Sequence, residues 1–481
     1  MADALWTSED IAAATGGAVT APFACGGLSI DTRRLRPGDL FVALSDVRDG
    51  HDFAAAGFER GAVAALVSRP VAARGPFVEV KDVLGALTQL AVAARARCGA
   101  IRTAVTGSVG KTSVKDMVAQ IFSAAGPAHW PESSFNNQWG VPLTLARMPQ
   151  STQRAIFEIG MSTPGEIAPR SKLVRPHHAL ITKIAPAHLE GVGSIEGVAE
   201  EKSAVFAGLE AGGTIIVPED DRFKAYLADQ GRRQCTTASV ESFGAGHGAT
   251  ARVIDVETDG VSSRFQIDVA GQRARVHLNA VGSHWGVNAA AALLTATLTG
   301  LTLAEAADGL AGFSPPPGRG TAEALALPGG GAATLLDDAY NANPESMRAA
   351  LAALALRPSG ARLLALGEMR EIGAETEAAH AGLAAPILET GARQVFLAGP
   401  AMAPLAQALR GSVDVAFAET AGQLASEMKK ALTDGAFLLI KGSNASGMRG
   451  LADELREWGA VGSASVMGAQ AQGIGQADDV V

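Results

Sequence analysis

Two hydrophobic periods alternate along the chain. Short apolar runs, the mark of buried strands, recur between stretches where apolar residues return every third or fourth position, the mark of amphipathic helices. The run at 101–105 leads into a turn holding Gly107 and Gly110. A helix opening at Thr112 follows, with Val114, Met117, Val118, Ile121 and Phe122 on one stripe. Further runs lie at 155–159, 179–184 and 214–217, with a helix over 195–209 before the last. This alternation predicts a mainly parallel sheet covered by helices. Residues 252–278 break it: they read as three consecutive strands with turns at Asp259-Gly260 and Gly271-Gln272, a β meander, followed by a helix that includes 288–298.

On either side the pattern changes. Up to residue 97 it mixes strand-like runs at 40–44 and 65–67 with a helix over 82–97. After Ser314-Pro315-Pro316-Pro317-Gly318, a stiff, hinge-like run, strands are expected at 335–336, 363–366, 395–398, 413–417 and 437–440. Helices separate them, one starting at Asn343-Pro344-Glu345 with Asn as cap and Pro in the first turn. The predicted class is α/β in three domains: a small α/β N-terminal domain (1–97), a central phosphate-loop domain with a parallel sheet and an added β meander (98–314), and a C-terminal Rossmann-like domain (315–458). From Gly459 the Gly/Ala/Ser/Gln-rich stretch 459–481 lacks apolar periodicity, which predicts a disordered tail. No internal repeat is visible.

Composition narrows the function classes. The 481 residues are 47% hydrophobic and 19% charged, enough to bury several cores. A net charge of -9 argues against a nucleic-acid partner, whose phosphates call for a basic surface. No apolar run approaches the roughly 20 residues of a membrane span, and Met1-Ala2-Asp3-Ala4-Leu5-Trp6 has neither the basic end nor the apolar run of a signal peptide. Cys25, Cys98 and Cys235 are scattered without metal or pairing spacing, which suits a reducing cytoplasm and packing as small apolar residues.

The densest chemistry is Thr106-Gly107-Ser108-Val109-Gly110-Lys111-Thr112-Ser113. The usual phosphate-loop pattern has a glycine where Val105 stands, yet strand, glycine turn and helix are all present. Glycines let the backbone N–H groups and the helix N-terminus face an anion. Lys111 is placed to reach outer phosphates and the Thr112 hydroxyl to hold Mg²⁺. The competing reading is an ordinary βα turn. Glu158 ends an apolar strand beside the loop, either as a Mg²⁺ ligand or as a solvated strand-end charge. His188 follows the strand at 179–184. Lys202 shares a helical face with Val198, Val205, Phe206 and Leu209, so it either snorkels from the stripe's edge or keeps a neutral, reactive amine in the interior. Asp337-Asp338-Ala339-Tyr340-Asn341-Ala342-Asn343-Pro344 and Lys441-Gly442-Ser443 both end apolar strands, at the edge where open α/β sheets bind ligands. The first pair of acids also fits a structural turn. Ser29-Ile30-Asp31-Thr32-Arg33-Arg34 is a polar cluster that by itself fits any surface turn.

Together these runs resemble the Mur ligases, the ATP-dependent amide-forming enzymes of peptidoglycan assembly. The similarity extends to about Trp458. The shortened loop looks like the family's own form; the most specific marks are Phe135-Asn136-Asn137 with Gly140-Val141-Pro142-Leu143-Thr144, and Asp338 through Pro344, which looks like the branch that adds D-alanyl-D-alanine. Gly367-Glu368-Met369 through Gly373, His380 and Lys441-Gly442-Ser443 add support. Val109 and Lys183 stand where the family commonly has Asn. The resemblance implies ligation of D-alanyl-D-alanine to UDP-N-acetylmuramoyl-tripeptide through an acyl phosphate, by a cytoplasmic monomer with small-molecule substrates and neither nucleic-acid nor membrane partners. It further implies that ATP phosphates bind Gly107, Ser108, Val109, Gly110, Lys111, Thr112 and Ser113. Thr112 and Glu158 would hold one Mg²⁺; His188 would help hold a second, with Lys202 as a carbamate formed with CO₂. Lys111, Lys202 and His188 become the catalytic set. Asn288, Arg319 and Asp338 would surround the adenosine and its phosphates, and Asp31, Thr32 and Arg33 the uridine nucleotide. Asn136 and Asn137 would face the muramoyl peptide, with Tyr340, Asn341, Asn343 and Lys441 as further substrate contacts. The rival readings are a sister ligase that adds a single amino acid or acts on folate, a non-enzymatic ATP-binding regulator, and a generic phosphate-loop ATPase.

Overall fold

The strand Ile101–Thr106 has both faces covered: Ala104 and Val105, each fully buried, belong to separate apolar cores on opposite sides of one sheet. In this computed structural model, which describes residues 4–472 with side chains through 460, that strand is an inner member of a nine-stranded sheet. Arg154–Glu158 lies parallel on one side and His178–Ile181 parallel on the other. Because the chain order reverses there, a crevice opens above the carboxyl end of Ile101–Thr106. Beyond His178–Ile181 the sheet continues through Thr214–Pro218 and Ser239–Gly244 to Ala251–Thr258, all parallel, and ends in the antiparallel strands Ser263–Val269 and Gln272–Leu278. The meander is therefore the sheet's far edge.

Before it, a five-stranded sheet is built from Ala18–Val19, Phe77–Glu79, Ala64–Val67, Asp39–Val42 and Gly27–Ser29 in that spatial order. Helix Val83–Ala96, capped by the Asp82 carboxylate, covers it and packs on helix Gly140–Ala146 of the next unit. Leu143 and Ala146 belong to the same apolar core as Leu40 and Leu66, so the two units share side chains. The Trp6 indole donates to the Ala146 carbonyl at 2.8 Å across this seam. After it, a six-stranded sheet places Phe437–Lys441 between Ala332–Asp338 and Arg362–Gly367, with Gln394–Ala398 and Asp414–Ala418 beyond and Thr321–Ala326 as an antiparallel edge. Asp338 and Lys441 are register partners at its carboxyl edge.

Several expectations shift. Ser239–Gly244 and Thr321–Ala326 are strands that the pattern does not reveal, because polar residues and alanines (Glu241, Ser242; Thr321, Glu323) dilute their apolar run. The expected 179–184 strand ends at Ile181, since Thr182 turns its hydroxyl onto the Val109 carbonyl at 2.5 Å. The 195–209 helix tightens into a 3₁₀ turn over Ala204–Gly208, where Gly208 passes close against the Ser171 backbone. The disordered tail expected from Gly459 is corrected: helix Met448–Gln472 runs through that glycine. Gly459 lies where a Cβ would come within 2.8 Å of Leu325 Cδ1 and 3.0 Å of the Ala326 carbonyl, so it allows close packing and does not stop the helix. Residues 473–481 of that expected tail lie outside the described residues.

Three imidazoles, His178 buried and His129 and His284 half-buried, are shifted toward their neutral form. Burial pushes His129, His178 and His284 each down to about 4 from an ordinary value of 6.5. Between these values the unfolded chain takes up protons that the folded chain refuses. Stability is thus full above pH 6.5 and falls as pH drops toward 4. Calorimetric melting should show this slope. His129→Gln, which keeps a donor for the Thr144 carbonyl 2.7 Å away, should flatten it; an unchanged slope refutes the assignment.

Candidate active site

The loop after Ile101–Thr106 is held by backbone and hydroxyl contacts. The Ser108 N–H donates to the Lys183 carbonyl at 2.8 Å, and its hydroxyl donates to the Ala185 carbonyl at 2.8 Å. Gly107 has φ +146°, and a Cβ there would fall 1.9 Å from Thr182 Oγ1. The loop tolerates Val109 because Thr182 grips this residue's carbonyl and leaves its side chain out of the hold. Helix Lys111–Ala125 starts directly behind, so its first N–H groups face the crevice. Lys111 Nζ turns back to the Gly107 carbonyl at 2.6 Å.

The two neighbouring strands each deliver one functional group. From Arg154–Glu158 comes Glu158, 1% exposed, whose Oε2 accepts the Thr112 hydroxyl at 2.8 Å and whose Oε1 accepts the Asn136 amide at 2.8 Å. From the end of His178–Ile181 comes His188, in the left-handed region at φ +57°. Lys202 sits on helix Ile195–Ser203 at 1% exposure, and its Nζ has no hydrogen-bond partner among the described residues. It does not snorkel. Burial, aided by the Lys111 charge, holds its amine well below the ordinary lysine range. Burial and the Lys202 charge likewise lower His188, against the pull of Glu371, whose carboxylate meets His188 Nδ1.

Adjoining Thr112 and Glu158 oxygens are donors of the kind Mg²⁺ takes, alongside phosphate oxygens and water. No group of three or more His, Cys, Asp or Glu gathers as a ready-made metal site among the described residues. Any cation held here therefore depends on the hydroxyl, on one carboxylate and on oxygens brought by a ligand or by Lys202 chemistry. The donor set fits that case.

The C-terminal domain faces this crevice. Asp338 pairs with Lys441 at 2.6 Å, and Lys441, 2% exposed, also donates to the Asn341 carbonyl at 3.0 Å. The Arg319 guanidinium lies 4.0 Å from the Tyr340 ring centroid and reaches Ser134 in the central domain. Asn288 approaches Gly110, so helix Ser283–Leu298 borders the loop. Lys183 crosses the domain boundary to Glu345 at 2.6 Å. Two expected substrate contacts already have structural work: Asn137 Oδ1 accepts the Gly140 N–H at 2.9 Å, and Asn343 Oδ1 caps helix Pro344–Ala355 through the Ser346 N–H at 2.9 Å.

Further along the central domain, a cavity of about 460 Å³ opens at the seam with the N-terminal sheet. Asp31 lines it, as do Arg34, Arg36, Trp130, Phe135 and Arg147. Thr32 and Arg33 are not among its lining residues, and Arg33 instead pairs with Asp31 at 2.8 Å. The loop 135–137 joins the two places: Phe135 lines the cavity while Asn136 touches Glu158. Arg147 and Arg36 carry no sequence signal, because only tertiary folding brings them to the cavity. Glu371 stood inside a marked motif but without a role.

Residues 105–296 match the Mur ligase middle domain, and residues 326–444 match the domain described as Mur ligase, glutamate ligase domain. The UDP-N-acetylmuramoyl-tripeptide–D-alanyl-D-alanine ligase of Escherichia coli (strain K12) is 37% identical over 436 residues, 90% of this chain and 94% of that protein. The ligase of the same name from Bacillus subtilis (strain 168) is 34% identical, over 78% of this chain and 80% of its own length. A crystal structure of MurF from Acinetobacter baumannii superposes with a TM-score of 0.81 at 29% identity, covering 94% of this chain and 99% of that one. The chain belongs to the Mur ligase family. Along this Mur ligase α/β units follow one another, and the sites described lie at their junctions.

An unpaired buried amine costs stability, because burial disfavours the charged form that the unfolded chain carries at neutral pH. Lys202→Met should therefore raise the melting temperature in buffer freed of CO₂. The gain should shrink as pH rises toward 10.5, where the unfolded lysine also loses its proton. A destabilised variant refutes the unpaired assignment.

Proposed function

We propose that this Mur ligase joins D-alanyl-D-alanine to UDP-N-acetylmuramoyl-tripeptide with ATP, forming a C–N bond and releasing ADP and phosphate. The observation that carries the proposal is the meeting of three elements: a phosphate loop with its Thr112–Glu158 pair, the buried Lys202, and the strand ends bearing Asp338 and Lys441. Relatives named for this activity align over 90% of the chain.

A free carboxylate is a poor acceptor for an amine. Transfer of the ATP γ-phosphoryl to the peptide carboxylate makes an acyl phosphate; the dipeptide amine then attacks its carbonyl carbon, and the tetrahedral adduct expels phosphate as the amine loses its proton. Negative charge spreads over the phosphoryl oxygens during transfer, so fixed cations and N–H dipoles accelerate it. Gly107 through Ser113 supply the N–H groups, and Lys111 swings from the Gly107 carbonyl to the outer phosphates. Mg²⁺ would supply further positive charge there; Thr112 and Glu158 would hold one ion, and His188 would help hold a second. Lys202, whose uncharged form burial favours, would take up CO₂ through a new N–C bond with release of a proton, and the carbamate would be an anionic oxygen donor beside His188. Asn288, Arg319 and Asp338 border the nucleotide. Asp31 holds the uridine nucleotide at the seam cavity that it lines, with Thr32 and Arg33 beside it and off the lining, and the loop with Asn136 and Asn137 spans from it to the phosphates. Tyr340, Asn341, Asn343 and Lys441 present the amine. The chain acts as a monomer on small molecules in the cytoplasm; of these, the reducing compartment is supported by three buried free cysteines.

Mass spectrometry of a reaction holding the uridine-linked tripeptide, ATP, Mg²⁺ and D-alanyl-D-alanine should show the pentapeptide product. Lys202→Ala should lose about 100-fold or more in rate, a few kcal/mol of transition-state stabilisation, with partial rescue by a short-chain carboxylic acid. Phosphate release that a single amino acid stimulates and the dipeptide does not would assign the chain to a sister branch.

A further inference from the structure

Among the described residues only four non-glycine residues have positive φ: Arg175, His188, Ala270 and Glu371. Two of them, His188 at φ +57° and Glu371 at φ +64°, touch each other across the boundary between central and C-terminal domains. A side chain in this backbone region is strained, and the strain persists only where surroundings impose it. Around Glu371 they do. Its neighbours Met369 and Ile372 are 2% and 3% exposed. The Met369 N–H donates to His380 Nε2 at 2.9 Å, and the opposite ring nitrogen of this fully buried histidine meets the Thr376 carbonyl at 2.7 Å. On the far side, the Gly373 backbone packs against Leu189 and Glu190, the residues that follow His188. The loop 367–373 is thus built to present one carboxylate to one imidazole.

An ion pair for stability alone does not explain this. Glu371 is 55% exposed, and exposed pairs contribute less than a strained backbone costs. The nearby Lys183–Glu345 bridge already ties the same two domains without strain. What Glu371 does, and Glu345 cannot, is set a carboxylate against Nδ1 of His188, a buried nitrogen with no hydrogen-bond partner in place among the described residues. A carboxylate on one ring nitrogen fixes the tautomer and aims the other nitrogen outward as a lone-pair donor.

We propose that Glu371 is the positioning residue for His188, so that the central domain's second cation site is complete only when the C-terminal domain delivers this carboxylate. The proposal rests on the reading of His188 as a cation ligand. It makes domain contact a condition for cation binding rather than a consequence of it.

The test is Mn²⁺ titration, followed by electron paramagnetic resonance, of the full chain saturated with a non-hydrolysable ATP analogue. Glu371→Ala should weaken the weaker Mn²⁺ site about 10- to 100-fold and leave the affinity for the analogue within about twofold. Glu371→Asp should recover part of the loss. In turnover, Glu371→Ala should lower kcat and leave KM for ATP unchanged, and melting temperatures confirm that each variant folds. A Glu371→Ala titration that superimposes on the wild type, while His188→Ala weakens the site, overturns the positioning role alone. If His188→Ala also leaves the titration unchanged, the positioning role falls together with the reading of His188 as a ligand. Formation of pentapeptide by the wild type judges the ligase reading separately.

Discussion

The grip of one strand end on its neighbour's loop organises the molecule. Thr182, Lys183 and Ala185, just past His178–Ile181, hold Val109 and Ser108 by hydrogen bonds. This requires a residue without Cβ at 107. It also draws the chain out of the sheet after Ile181, toward His188, and sets Lys183 at the domain boundary. The position of the imidazole, the reach to the C-terminal domain and the mouth of the crevice all follow from that one attachment. It uses main-chain carbonyls, which explains why Val109 and Lys183 depart from the family's usual residues without disturbing the loop.

Charge is distributed around this anchor in an unequal way. Lys111, Lys202, Arg319 and His188 influence one another across the crevice, against Glu158, Glu371 and the paired Asp338. The net charge of the chain is -9, yet the crevice gathers Lys111, Lys202 and Arg319 within reach of one another. An interior that concentrates cations against its own desolvation cost is arranged for an anionic guest. Without one, Lys111 satisfies itself on the Gly107 carbonyl and burial favours the uncharged form of Lys202.

What could be read from sequence depended on range. The strand–glycine turn–helix at 101–122 is local and was legible, as were the Asn343 cap and the meander, whose turns carry their own signatures. Burial of Lys202 was legible as one of two alternatives, because helical spacing places a residue on a face without saying how deep that face lies. Strands with mixed composition, such as Ser239–Gly244, escaped because they are held by their neighbours more than by their own apolar content. The C-terminal helix escaped because the Gly/Ala/Ser/Gln stretch from Gly459 has no apolar period, and the close approach of Leu325 to Gly459 is a tertiary fact. Arg36 and Arg147 reach the seam cavity from distant segments, and no single-sequence pattern records such a meeting. Asn137 and Asn343 show the reverse error, since motif residues that mark a family also cap helices.

The three cysteines have a practical meaning. Each is buried, and burial pushes the Cys25 thiol up to about 12, so the native surface offers alkylating probes no ready thiolate. A pair of thiols introduced on either side of the central–C-terminal boundary would then be the accessible labelling sites in an otherwise natural background. The distance between domains thereby becomes a quantity that a pair of dyes can follow during turnover.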